Sequence, residues 1–228
     1  MATFWLRAVA PFAAFRWMQA GVWRATSPVI PPSAAWGLVL NLAGIETRDT
    51  SSKGPTTLIR HDAPAFEIAV ASLSEPERGS LYQQIHSYPV GNASKHLAEG
   101  TRGAKYHIAP VRRELLVGFD ALIGVRASDD QLVERVRKGL NGELDEKRYG
   151  LPFAGENNFL FDRIELLQEP IEACWYTRTK KAQRGTCRLN IGIDREDSSR
   201  TTSGIFAPLE KPTREIPEDA WTWVPRAR

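Results

Sequence analysis

The stretch Ser27–Ile45 limits the fold more than any other part of the chain. Pro28, Pro31 and Pro32 hold its entry extended or turning, because each ring fixes φ and biases the residue before it away from helix. Pro32 also suits the first turn of a helix, where a missing N–H leaves no bond unmade. From there a helix passes through Trp36, Leu38, Val39, Leu40 and Leu42 and stops at Gly44, a residue that accepts a left-handed cap. A short helix apolar almost all round has to be enclosed. Upstream, Thr3–Val9 alternates as a strand does, with Arg7 on one face, and predicts the sheet against which the helix packs.

Downstream, Glu46–Thr57 reads as a surface loop and Phe66–Leu73 as a half-buried strand. Glu75–Lys105 shows no sustained period and carries Gly79, Pro89, Gly91, Gly100 and Gly103, so it is read as a long insertion. Tyr106–Val125 is one or two strands with a bend near Gly118. Ser128 and Gln131 form a capping box opening a helix to about Leu140. Its buried stripe is Leu132, Val133, Val136 and Leu140, with Glu134 and Lys138 paired on the wet side, and Gly139, Asn141 and Gly142 end it. A strand over Phe159–Leu167 follows. The resulting order is α+β, a ferredoxin-like (RRM-like) βαββαβ core over residues 1–170 with an insertion at about 75–105. Residues 171–228 form a small β-rich extension. There Ala173–Arg178 and Thr186–Ile191 read as the arms of a hairpin about Lys180 and Lys181, with Cys174 opposite Cys187, and the tail around Trp221 and Trp223 reads as irregular.

Two blocks point to a family. The first runs Phe4-Trp5-Leu6-Arg7 through Phe12-Ala13-Ala14-Phe15-Arg16 to Ser27-Pro28 and the Ile30-Pro31-Pro32-Ser33-Ala34 entry into Trp36-Gly37-Leu38. The second is Tyr149-Gly150-Leu151-Pro152-Phe153-Ala154-Gly155-Glu156-Asn157-Asn158-Phe159-Leu160. Together they resemble the CRISPR-associated Cas family five, RAMP-superfamily subunits of type I Cascade complexes, and the second block is nearer the Myxococcus-type, I-B-like branch. The likeness covers roughly residues 1–170 and fades after Ile171.

That resemblance implies a non-catalytic subunit that grips the five-prime handle of CRISPR RNA. Its partners would be the repeating backbone subunit and the large subunit, with target DNA met only indirectly, in antiviral defence. Composition is compatible with this. The formal charge of +3 is small, but the 30 basic residues divide into 22 Arg and 8 Lys, a bias toward the side chain that pairs with phosphate bidentately and stacks on bases. Arg7, Pro11 and Arg16 interrupt any apolar leader, and nowhere do eighteen apolar residues run together, so neither a secretion signal nor a membrane span is expected. Two cysteines make no disulfide framework and no paired metal motif, no phosphate-binding glycine loop is present, and a cytoplasmic protein without cofactor or metal is expected. The RNP signature of conventional RNA-recognition modules is missing too, so RNA would be held some other way.

Four groups of residues are candidates for that contact. The resemblance places Lys95, His96, Arg102 and Lys105 on the thumb, the insertion that reaches over the RNA near its handle. The alternative is a solvated loop with incidental charge. Phe15, Arg16, Trp17 and Arg24 interleave aromatic and guanidinium groups in a loop after the first strand, a mixture that can stack splayed bases or merely cap the core. Asn157 and Asn158, in a glycine-containing loop, offer a cradle for phosphates or base edges, or bond their own backbone. Lys180 and Lys181, with Arg178 and Arg184, form a basic hairpin tip that binds nucleic acid or is simply solvated. His107 belongs with the RNA-contacting set. One branch of the family cuts precursor RNA without metal, and Lys105-Tyr106-His107 supplies the residue types for that chemistry. Strand alternation would let Lys105 and His107 cooperate but turn Tyr106 away. An RNA-contacting strand edge is the preferred reading, with a metal-independent endoribonuclease as the alternative.

Overall fold

The computed structural model describes residues 2–20, 22–49, 51, 57–87 and 107–225. In chain order the elements are β1 (Ala2–Ala13), β2 (Arg16–Ala20), β3 (Trp23–Thr26), α1 (Pro32–Leu42), β4 (Arg48–Asp49), β5 (Leu58–Ile59), β6 (Phe66–Ser72), β7 (Glu77–Ser87), β8 (His107–Ala127), α2 (Gln131–Asn141), β9 (Arg163–Leu167), β10 (Cys174–Arg178), β11 (Cys187–Gly192), β12 (Thr202–Pro208) and β13 (Thr222–Val224). The protein is mixed α/β: among the described residues eleven strands share one sheet, β4 and β5 pair apart from it, and there are two α-helices.

Two long strands form the spine. β1 and β8 pair antiparallel from Ala2 opposite Ala127 to Ala13 opposite Leu116. β9 lies beside β1 and β6 beside β8, and beyond β6 the sheet continues through β10 and β12 to β11. Because side chains alternate across a strand, Phe4, Leu6 and Ala8 of β1 share one face with Ile68, Val70, Ile123 and Val125. That face packs on Trp36, Val39, Leu40 and Leu42 of α1, while Leu189, Ile191 and Phe206 of β11 and β12 reach the same core, so the apolar helix is enclosed. Each fully buried aliphatic side chain there contributes about 1.5–3 kcal/mol relative to exposure. Gly44, at φ +65°, ends the helix in the left-handed conformation its sequence predicts.

The other face is covered as well. Ala69, Ala71 and Leu122 meet Trp175, Ala220 and Trp221, with Ile216 at the margin. A side chain at Gly124 would come within 3.0 Å of the Trp221 ring, so the absence of a Cβ lets the tail lie flat on the sheet. Trp175 anchors the segment by donating its indole N–H to the Thr213 carbonyl at 3.0 Å. Among the described residues no helix is long and apolar enough to cross a membrane.

Several expectations are corrected. The residues after the first strand form the β2–β3 hairpin rather than a loop, and β1 itself runs past Val9 to Ala13. The insertion begins as a strand: β7 pairs with His107–Val117 of β8 in one long ribbon. It shows no hydrophobic period because its half-buried face, Gly79, Leu81 and Gln83, holds one large apolar residue while Tyr82 lies among the exposed ones. The capping box does not form. Asp129 accepts the Gln131 N–H at 3.0 Å, and α2 starts at Gln131. Glu134 pairs with Arg137 rather than Lys138. The last core strand starts at Arg163, four residues late.

The C-terminal arms are not hairpin partners, because β12 lies between them and pairs with both. Cys174 therefore stands opposite Ser72 and Cys187 opposite Phe206, and both thiols are free. Burial pushes the Cys187 thiol up to about 12. The tail is not irregular throughout, since β13 pairs with β6.

Candidate nucleic-acid interface

Along β8 the side chains of Val111, Arg113 and Leu115 fall on one inward face while Arg112 points out. The outward Arg112 guanidinium stands 6.0 Å from the Trp23 ring. Arg113 is charged at an apolar position, with its side chain only 6% exposed. β3 runs parallel to β8 here and sets Arg24 beside Arg113, while the β2–β3 pairing sets Arg16 opposite Thr26. The hairpin is fixed at its base: Thr26 Oγ1 accepts the Phe15 N–H at 2.9 Å, and the Thr26 N–H donates to Glu114 Oε2 at 2.9 Å. Glu114 in turn accepts from Arg78 at 3.1 Å.

The glycine-containing loop meets this hairpin from the other side. The Ala14 N–H donates to the Ala154 carbonyl at 2.9 Å. Gly155 sits at φ +85°, and a Cβ there would stand 2.2 Å from the Ala14 carbonyl oxygen. Only glycine lets the two backbones approach so closely. The next residue, Glu156, is thereby delivered to Arg113, whose terminal nitrogen forms an ion pair with Oε1 at 2.8 Å. The two sequence blocks, far apart in the chain, are thus in contact.

Between them lies an open cavity of about 370 Å³ lined by Arg16, Arg24, Arg113 and Glu156. Burial pushes the Arg113 guanidinium down from its ordinary value, Glu156 pulls it back up, and Arg24 and then Arg16 push it down again. Arginine nonetheless stays charged in proteins. The Arg113 Nε–H is buried and has no hydrogen-bond partner among the described residues. Three guanidiniums facing one carboxylate make a site suited to an anion.

The other candidates are distributed unevenly. Asn157 and Asn158 are exposed and follow Glu156 directly. Trp17 donates its indole N–H to the Arg188 carbonyl at 2.9 Å, tying the hairpin to β11. Lys180 and Lys181 are exposed in the connection after β10 and do not line the cavity. His107 opens β8, with its side chain outside the described residues. Lys95, His96, Arg102 and Lys105 lie outside the described residues altogether. Sequence reasoning passed over Arg113 and Glu156. The signal for Arg113 was available, since a charge shares the parity of Val111 and Leu115; Glu156 carried no comparable mark.

Comparison with known proteins bears on what this site belongs to. A search of curated proteins finds no match. A chain described as "CRISPR RNA-guided surveillance complex" superimposes with a TM-score of 0.58 at 12% identity, covering 96% of each chain. Another, "Crystal structure of Cas protein", gives 0.52 at 12% identity, covering 93% of this chain and 96% of that one. At such identity these likenesses speak to the fold. The family described as CRISPR-associated protein (Cas_Cas5) matches residues 3–141, a span that includes Arg16, Arg24 and Arg113. That match takes in well over half of the 228 residues, and the chain belongs to the CRISPR-associated Cas5 family.

Proposed function

We propose that this chain is a non-catalytic RNA-binding subunit of a type I CRISPR surveillance complex, holding the five-prime handle of CRISPR RNA in the cytoplasm. The observation that carries the reading is the convergence of the two motif blocks on a three-arginine cavity. Arginine forks positioned by strands recognise phosphate geometry, as a handle-binding subunit requires. The strand order β9-β1-β8-β6, with α1 following β1 and α2 following β8, supports a ferredoxin-like core. The face opposite the helices, which RNA-recognition modules leave open, is occupied by Trp221 and its neighbours, so the arginine cavity is the better place for RNA.

On this reading the ribbon of β7 and β8 leads to the thumb, the C-terminal extension completes the wall around α1 through β11, β12 and β13, and the backbone and large subunits are the neighbours. The second block favours the Myxococcus-type, I-B-like branch. In that branch the chain leaves cutting to another subunit and meets target DNA only through the assembled complex. The test is to incubate the purified chain with labelled repeat RNA in EDTA at moderate ionic strength. Binding without cleavage is expected. Site-specific cleavage abolished by His107→Ala would overturn the non-catalytic assignment, and absence of binding, alone and with the neighbouring subunits, would overturn the RNA-binding one.

A further inference from the structure

Arg113 is a buried cation incompletely served by its single described carboxylate. Glu156 takes the terminal nitrogen at 2.8 Å, while the Nε–H beside it is buried without a partner among the described residues. An unmade bond at a buried donor is costly, so its persistence calls for an explanation in what the site binds. The guanidinium edge formed by Nε and a terminal nitrogen is the one that matches two oxygens of a phosphate. Among the described lining residues three guanidiniums meet one carboxylate, so Arg24 and Arg16 leave a net of two positive charges in the cavity. Glu156, with its side chain 31% exposed against 6% for Arg113, directly follows Gly155, which packs against the Ala14 carbonyl.

We propose that this cavity takes one phosphate group of an RNA strand on the Nε and terminal nitrogen of Arg113, and that the phosphate displaces the Glu156 carboxylate holding that place in the free chain. The inference rests on the RNA-binding reading and adds to it a competitor built into the site. Glu156 then sets a threshold: a phosphate must exchange one ion pair for another before it seats, which disfavours weak anions and loosely held RNA. Arg24 and Arg16 supply the flanking charge that tips the exchange toward phosphate.

The experiment compares full-length wild type with Glu156→Gln, Arg113→Lys and Arg24→Ala by fluorescence anisotropy on a short single-stranded repeat RNA across a salt series. Glu156→Gln keeps the shape and removes the charge, and is expected to tighten binding about three- to tenfold, the equivalent of losing one modest competing ion pair. Arg113→Lys is expected to weaken it about tenfold, because an ammonium cannot offer the paired edge. Arg24→Ala is expected to weaken binding and lower the slope of log K against log salt by about 0.7. Unchanged or weaker binding by Glu156→Gln overturns the displacement.

A second arm titrates inorganic phosphate while following the Arg113 Nε–H resonance, identified by its loss in Arg113→Lys. A shift at lower phosphate in Glu156→Gln than in wild type supports the exchange, and no shift in either overturns the site. This arm separates the two ideas: wild type that responds to phosphate but ignores RNA sinks the RNA-binding reading and leaves the anion site standing. Comparing 5′-hydroxyl with 5′-monophosphate RNA then assigns the source, an equal gain marking an internal phosphodiester and a gain confined to the monophosphate marking a terminal group.

Discussion

At the scale of single residues, Gly155 holds the two halves of the cavity together. Its φ of +85° and the 2.2 Å approach of a notional Cβ to the Ala14 carbonyl exclude any side chain. The backbone strain of Gly155→Ala alone costs about 1–3 kcal/mol, and the clash adds to it. A fall in Tm of at least about 5 °C is therefore expected by circular dichroism, and an unchanged melt would show that the contact with Ala14 is not a close one. Legibility at this scale was partial for a physical reason. Arg16 and Arg24 stood out because they interleave with aromatics in one short segment. Arg113 did not, since Arg112, Arg113 and Glu114 together look like an ordinary solvated run; only the neighbours' parity reveals that the middle one points inward. Glu156 was overshadowed by the asparagines after it, and its partner lies 43 positions earlier in the chain, a pairing no local pattern encodes.

Among elements, the two helices show how far local pattern reaches. α1 was legible to its cap because three kinds of signal coincide: prolines before it, apolar residues all round it, and a glycine after it. β7 was not, because a ribbon arm exposed along much of its length has no hydrophobic period to read. The contact between helices adds a constraint that no periodicity shows. Gly139 of α2 presses on the end of α1, where an added Cβ would stand 1.7 Å from the Leu42 carbonyl oxygen. Arg135 supports the junction by donating to the Ala43 carbonyl at 2.9 Å, and Arg148 donates to the Gly139 carbonyl at 2.7 Å. Helix propensity favours Gly139→Ala by about 1 kcal/mol, but the overlap forces the helices apart and wins. A net loss of about 1–3 kcal/mol is expected in urea melts, while Lys138→Ala on the exposed side stays within about 0.5 kcal/mol of wild type. A stabilised Gly139→Ala would mean that α2 rides further from α1.

Across the whole molecule, the question is which face of the sheet remains open for a partner, and the tail decides it. In the sequence Trp221 and Trp223 stand between prolines, with nothing to say which of them turns inward. The structure gives the answer: Trp221, just after a short 3-10 turn, is 7% exposed on the second core, whereas Trp223, opposite Glu67 in β13, is 49% exposed. Arg126 lies over the Trp221 ring at 4.2 Å and is itself held by Glu218 and, less strongly, Glu67, which raise its pKa, so the cover is clamped at its edge. Trp221→Ala removes one of the two buried tryptophans of that cover and is expected to cost about 3–5 kcal/mol, or roughly 10 °C in Tm. If RNA seats in the arginine cavity, the fraction still folded at low temperature keeps its RNA affinity within about twofold, a change of well under 1 kcal/mol. The opposite pattern, a protein that melts like wild type but loses RNA, would make the tail part of the binding surface and move the interface to the face opposite the helices.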